Sequence, residues 1–171
     1  GSGKSYVVKR GTGGLGLKIV NSDDVLEKYI KDAGLSLKMP KSEEEPRDKL
    51  RAKAKAVTDA RQANYVEGRL GLIIDGTGKD YSKITDQATK LKILGYDVHM
   101  IFVNTSLETA LKRNAKRERT VPRSIATKSW KTVQSNMGKF SQYFRQNFIV
   151  VDNNDSDEDV MGPVYKQVMS L

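Results

Sequence analysis

The sequence contains no cysteine, a single histidine and no long apolar run. The absence of cysteine excludes disulfide bonds and catalysis by a thiol, and it fits a cytoplasmic protein. With His99 as the one histidine, a histidine-based metal site or a serine–histidine–aspartate triad is not expected. No run approaches the roughly 18 apolar residues of a transmembrane helix, so we expect no membrane partner.

Positively charged residues outnumber negatively charged ones. The 171 residues include 30 lysines and arginines against 21 aspartates and glutamates, which gives a formal net charge of +9. This balance favours anionic partners such as nucleotides, nucleic acids and phosphorylated metabolites. The length suits one hydrophobic core, and we expect residues 1–171 to form a single domain.

The first five residues, Gly-Ser-Gly-Lys-Ser, match the second half of the phosphate-binding loop G-x-x-x-x-G-K-[ST]. In that motif the backbone N–H groups surround phosphate oxygens, the lysine reaches the β- and γ-phosphates, and the hydroxyl holds Mg²⁺. We therefore expect ATP or GTP to be bound by Gly1, Ser2, Gly3, Lys4, Ser5 and Tyr6, with Ser5 as a magnesium ligand. The first glycine of the motif and its preceding strand are expected to be missing. A linker is the alternative interpretation of Gly-Ser-Gly.

Strand-like apolar runs alternate with helical patterns along the chain. Strands are predicted at 15–20, 70–75, 97–103 and 148–152. Helices are predicted at 6–10, 25–33, 46–67, 80–94, 107–114, 124–144 and 160–171. This alternation predicts an α/β domain with a mostly parallel sheet, helices on both faces and right-handed crossovers. We interpret residues 35–68 as a helical insert on the substrate side.

Acidic residues follow two of the predicted strands. Asp23 and Asp24 come after the first strand, and Asp75 ends the strand at 70–75. Open α/β sheets place their sites at the carboxyl ends of parallel strands, where an aspartate can serve Mg²⁺ or the substrate. The alternatives are structural, because Ser22 or Asp23 could cap the next helix and Asp75 could belong to a turn.

Residues 111–145 contain ten lysines or arginines and one acidic residue, Glu118. This charge density predicts an anion-facing lid with its following helix, and the alternative is a nucleic-acid-binding surface. Apolar side chains recur at helical spacing in the second half of this segment at Trp130, Val133, Met137 and Phe140. We expect these side chains to face the core rather than to stack on bases.

Three stretches of the chain resemble the phage polynucleotide kinase and zeta-toxin group of P-loop kinases. They are Gly3-Lys4-Ser5, Asn21-Ser22-Asp23-Asp24, and Arg113-Asn114-Ala115-Lys116-Arg117 followed by Val121-Pro122. The last stretch is the most specific and is similar to the lid of phage 5′-polynucleotide kinases. The resemblance implies a P-loop NTPase three-layer sandwich that transfers the γ-phosphate of ATP, with Mg²⁺, to a hydroxyl acceptor. It also implies a cytoplasmic location, which for a phage-encoded protein is the host cytoplasm.

The resemblance also implies roles for individual residues. Lys4 and Ser5 would hold the donor phosphates and Mg²⁺, and Asp23 would act as general base on the acceptor hydroxyl. Asp75 matches an acidic residue near the acceptor and is a second candidate magnesium ligand.

The basic segment supplies the remaining candidates. By the same resemblance, Arg113 and Arg117 would contact the donor nucleotide and the transferring group. Arg119 and Arg123 are weaker candidates that would attract the substrate.

Two departures from the family pattern concern the acceptor. Polynucleotide kinases of this group carry arginines where this chain has Ser22 and Leu26. Both departures count against a polynucleotide acceptor. The expected acceptor is a 5′-hydroxyl polynucleotide, such as a single-stranded nucleic acid, or a nucleotide-type small molecule, and the alternative is a sugar nucleotide as in zeta toxins. The rival interpretations are a non-catalytic basic module that binds nucleic acid and a degenerate kinase fold retained for protein interactions.

Overall fold

The computed structural model describes residues 2–11, 13–154, 165, 166 and 170. Gly1 and most of the helix predicted at 160–171 lie outside the described residues. The helices are α1 (Lys4–Gly11), α2 (Ser22–Asp32), α3 (Glu44–Glu67), α4 (Tyr81–Ile93), α5 (Leu107–Lys116) and α6 (Arg123–Phe144). The strands are β1 (Lys18–Val20), β2 (Leu72–Ile74), β3 (Met100–Asn104) and β4 (Phe148–Asp152). Short 3₁₀ turns precede α3 and β4.

The strands are parallel, as the alternating pattern predicted. β1 pairs with β2, with Ile19 opposite Ile73, and β3 pairs with β4, with Phe102 opposite Val150. Within the described residues, no strand forms hydrogen bonds to both β2 and β3, so the sheet consists of two parallel pairs. The α/β class with parallel strands is confirmed, whereas we had expected one sheet.

Strand ends are set by the partner strand rather than by the apolar run. β1 covers only part of the predicted 15–20 because its partner β2 is three residues long. β3 begins at Met100 instead of Asp97, since β4 begins opposite it at Phe148. The side-chain amide of Asn147 donates to Asp97 and to the carbonyl of Val98. Residues 97 and 98 are therefore bonded to a side chain and do not pair with β4.

Among the described residues, the core is divided into three apolar clusters. Val7 of α1 packs on Ile149 and Val151 of β4 and so fixes the start of α1 against the sheet. Leu26 and Ile30 of α2 pack on Ala54 of α3, and this contact joins the predicted insert, which contains α3, to α2. In the described part of the chain, no helix is apolar and long enough to cross a membrane.

The third cluster contains the apolar row of α6. Phe140 is fully buried beside Phe144, and Val133 and Met137 pack against them. Trp130 donates its indole N–H to the carbonyl of Thr105 at 2.9 Å. The expectation that this row faces the core is therefore confirmed.

Candidate active site

The glycine before Lys4 adopts a conformation that few other residues accept. Gly3 has a φ of 82°, and its carbonyl accepts the backbone N–H groups of Tyr6 and Val7 in the first turn of α1. A Cβ atom at Gly3 would overlap the amide nitrogen of Asn153. The chain therefore enters α1 through a tight left-handed turn, with Ser5 exposed in the first turn. A helix N-terminus of this kind presents backbone N–H groups to an anion.

Residues 2 and 3, which lead into α1, are tied to the turn after β4 and to α5. The carbonyl oxygen of Ser2 accepts a 2.7 Å hydrogen bond from the Asn153 side-chain amide, and the same oxygen lies 3.5 Å from Arg113 Nη1. Arg113 also donates to the carbonyl of Asn153 at 2.7 Å and to that of Asn154 at 3.4 Å. Arg113 thus joins residue 2 to the turn after β4 through backbone carbonyls. Asn153 is a site residue that the sequence interpretation missed, because the asparagine-rich turn after the last strand carries no motif.

Asp75 lies at the carboxyl end of β2, inside the site. Its side chain is only 7% exposed, with Oδ1 at 3.6 Å from Lys4 Nζ. The amide of Asn21 donates to Oδ2 at 3.0 Å. Burial raises the pKa of the Asp75 carboxyl above its usual value, the Lys4 ammonium opposes this shift, and the nearby carboxylates of Asp24 and Asp23 reinforce it. The sequence-predicted Lys4, Asp23 and Asp75 therefore come together at one edge of the β1–β2 pair.

Asn21 joins the two strand ends. Its Oδ1 accepts the backbone N–H of Asp23 at 2.8 Å and caps α2. The expectation that Ser22 or Asp23 caps this helix is therefore wrong, because the helix begins at Ser22 rather than at the predicted Val25 and both residues lie inside it. The Asp23 carboxylate is left about half exposed and available for other contacts.

The loop between α5 and α6, residues 117–122, is fastened to α2. Arg119 contacts Asp23 Oδ2 through Nη2 at 3.1 Å and Glu27 Oε1 through Nε at 2.9 Å. The amide of Asn114 donates to the carbonyl of Val121 at 2.7 Å and accepts its N–H at 3.2 Å, which closes the loop on α5. We call this segment the lid loop. Arg119, predicted to attract the substrate, is engaged with two carboxylates of α2.

Arg117 and Arg123 differ from Arg113 and Arg119. Both are exposed, and their guanidinium groups have no hydrogen-bond or ion-pair partner among the described residues. Arg117 is the C-cap residue of α5 and stands two positions before Arg119 in the chain. Arg123 lines a shallow surface groove of α6 together with Ser124, Thr127, Lys128, Lys131 and Thr132. No described contact joins Arg123 to Asp23 or Lys4.

The oxygen atoms near Lys4 fit a magnesium ion that is bound mainly through the phosphates of a nucleotide. In the described ranges, no three histidine, aspartate or glutamate side chains are close enough to enclose a metal ion. Mg²⁺ usually takes one or two protein carboxylates and completes its shell with water and substrate phosphates. The exposed Ser5 hydroxyl and the Asp75 carboxylate supply oxygen ligands of this kind.

Comparisons with known proteins agree with this architecture. A family model described as an AAA domain (AAA_33) matches residues 1–140. A crystal structure of a candidate kinase from Chloroflexus aurantiacus J-10-fl is similar, with a TM-score of 0.65 and 18% identity over 99% of this chain and 91% of that one. At this identity the likeness establishes the fold alone. No curated protein gives a significant match. Because the family model spans most of the sequence, the chain belongs to the AAA_33 family of AAA domains, with a P-loop NTPase-type α/β fold.

Proposed function

We propose that the protein is an ATP-dependent kinase that transfers the γ-phosphate to a hydroxyl group of a nucleotide-type acceptor. The observation that carries this proposal is the meeting of Lys4, Asp23 and Asp75 at the strand ends, with the lid loop fastened beside them. Phosphoryl transfer requires positioning and cancellation of charge rather than much covalent help, and these groups supply both. The similarity of the fold to a candidate kinase supports the same activity.

On the donor side, the phosphates would lie over the loop of residues 1–6. Lys4 Nζ lies 3.6 Å from Asp75 Oδ1, and nucleotide binding would exchange this contact for one with the β- and γ-phosphates. Ser5 and Asp75 would hold Mg²⁺, which neutralises phosphate charge when bound. Arg113 would act indirectly, because its guanidinium donates to the carbonyls that shape the loop.

On the acceptor side, Asp23 would take the proton. The acceptor oxygen attacks the γ-phosphorus, the bond between that phosphorus and the bridging oxygen of the β-phosphate breaks, and ADP leaves. The proton of the acceptor hydroxyl passes to the Asp23 carboxylate. Arg117, exposed and unpaired among the described residues, would contact the transferring group, since its planar fork matches phosphate oxygens.

The identity of the acceptor depends partly on Leu26. This side chain is 3% exposed and packs in the α2–α3 core, so an arginine at this position would be buried rather than directed at a substrate phosphate. The basic segment, where Arg123 is exposed, supplies the candidate contacts to an acceptor phosphate. A 5′-hydroxyl polynucleotide and a sugar nucleotide both fit this arrangement.

The test is transfer of radiolabelled γ-phosphate from ATP in the presence of Mg²⁺. Acceptors would be 5′-hydroxyl DNA and RNA oligonucleotides and, separately, uridine-diphosphate amino sugars. Label on an oligonucleotide would establish a polynucleotide kinase, and label on the sugar nucleotide would establish a zeta-toxin-like activity. Label on neither, without measurable ATP binding, would refute the proposal.

One observation favours a second function, a basic module that binds nucleic acid without catalysis. Residues 111–145 carry ten basic side chains against one acidic side chain, and several of them are exposed along α6. This function gives no role to Asp23 and Asp75, whose carboxylates would repel a phosphate backbone. Salt-sensitive oligonucleotide binding without ATP binding or transfer would favour it.

A further inference from the structure

Arg119 lies between two carboxylates of α2. Its Nη2 is 3.1 Å from Asp23 Oδ2, its Nε is 2.9 Å from Glu27 Oε1, and its side chain is 13% exposed. A second pair between the same elements, Lys31 with Glu118, is longer at 3.5 Å and largely solvated. The Arg119 contacts are therefore the enclosed part of the connection between the lid loop and α2.

The arrangement follows from the spacing on α2. Asp23 and Glu27 are four residues apart and so share one face of the helix, where two carboxylates repel each other. An arginine from another element removes this repulsion, and its planar fork can address two oxygens at once. With both contacts made, the guanidinium charge is already offset, which makes Arg119 a poor attractor of a substrate phosphate.

The contact determines how Asp23 is presented. Asn21 caps α2, so the Asp23 carboxylate is not needed at the helix terminus. Oδ2 is held by Arg119, whereas Oδ1 has no partner among the described residues. One oxygen is thus anchored and the other is open to a ligand.

We propose that Arg119 is the positioning residue of the candidate base, fixing Asp23 through a bridge to Glu27 so that Oδ1 faces the acceptor hydroxyl. This inference rests on the proposed kinase function. Arg119 touches no reacting atom and acts only through Asp23.

The same loop carries Arg117, the candidate ligand of the transferring phosphate. One residue, Glu118, separates it from Arg119, and the paired hydrogen bonds of Asn114 and Val121 hold the loop in shape. These bonds fasten the loop to α5 without Arg119, so Arg117 should keep its place when Arg119 is replaced. A change at Arg119 should lower the rate of transfer with little effect on nucleotide affinity.

The experiment compares Arg119→Gln, Arg119→Lys, Glu27→Gln and Asp23→Asn in the full chain, with the acceptor that the wild type phosphorylates. We expect Arg119→Gln to lower kcat between about 10- and 100-fold, as misplacement of a general base does. The KM for ATP and the melting temperature should stay close to wild type. Arg119→Lys should recover only part of the rate, because lysine lacks the planar fork. Lys31→Ala is the matched control, since it removes one positive charge from the same connection without touching Asp23.

Two comparisons separate positioning from other roles. Adding Arg119→Gln to Asp23→Asn should lower the residual rate no further. In the double variant Glu27→Gln/Arg119→Gln, the loss of kcat should be smaller than the sum of the two single losses, expressed as free energies. A wild-type kcat for Arg119→Gln, or a rise only in the KM for the acceptor, would overturn the inference while Asp23→Asn remains inactive. Full activity of Asp23→Asn would instead refute the proposed function and the inference with it.

Discussion

Replacing Asn21 should uncouple the two strand ends that form the site. Asn21→Ala removes the cap of α2 and the amide donor to the buried Asp75 carboxylate. A cap is worth about 1 kcal/mol, and a hydrogen bond to a charged acceptor contributes about 1.5–3 kcal/mol. Together the losses come to about 2.5–4 kcal/mol, which in a domain of this size lowers the melting temperature by about 5–15 °C.

Asn21→Ser separates the two contributions. Serine caps a helix about as well as asparagine but cannot donate to Asp75 in the same way. We expect it to lose only the share of the Asp75 hydrogen bond, about 1.5–3 kcal/mol. Asn21→Asp should be less stable than the serine variant, because aspartate also caps the helix but places a second carboxylate against Asp75 Oδ2. Thermal unfolding by circular dichroism at neutral pH measures all three variants. A melting temperature for Asn21→Ser equal to that of the wild type would refute the role assigned to the Asp75 contact.

Substitutions at Asp75, Gly3 and Arg117 test the rest of the candidate site. Asp75→Asn should stabilise the protein at neutral pH. Burial raises the pKa of the Asp75 carboxyl in the folded protein above its value in the unfolded chain, so the wild type loses stability as pH rises from the unfolded pKa to the folded pKa. The neutral asparagine does not have this loss. Unfolding of both proteins between about pH 4 and pH 8 checks this, and a less stable variant at neutral pH contradicts it. Gly3→Ala should weaken ATP binding roughly tenfold, since the left-handed conformation costs about 1–2 kcal/mol and the new Cβ meets Asn153. Isothermal calorimetry measures the ATP affinity. Gly14→Ala is the control, because Gly14 also has a positive φ but has open space around it. Arg117→Ala should lower kcat by about 10³, whereas its exposed neighbour Lys116→Ala should not.

Sequence patterns pointed to the parts of the candidate site that depend on local spacing. Gly3, Lys4 and Ser5 form one short motif, and Asp23 and Asp75 stand directly after apolar runs. Their convergence follows from the parallel pairing of β1 with β2, which brings the carboxyl ends of the two strands together.

The parts that the sequence left open depend on long-range partners. Asn153 bonds to Ser2, 151 positions away, and Asn21 bonds to Asp75, 54 positions away. Glu27 acquires its role only because Arg119 reaches it from the lid loop. Single asparagines and glutamates of this kind carry no motif, because the geometry that gives them a role exists only after folding.

The central claim is that Asp23 accepts the proton of the acceptor hydroxyl in a phosphoryl transfer from ATP. The most direct measurement is single-turnover transfer of labelled γ-phosphate by the wild type and by Asp23→Asn, together with the ATP affinity of each. We predict rapid transfer by the wild type, loss of transfer in the variant and equal ATP binding. Transfer at the wild-type rate by Asp23→Asn would contradict the claim.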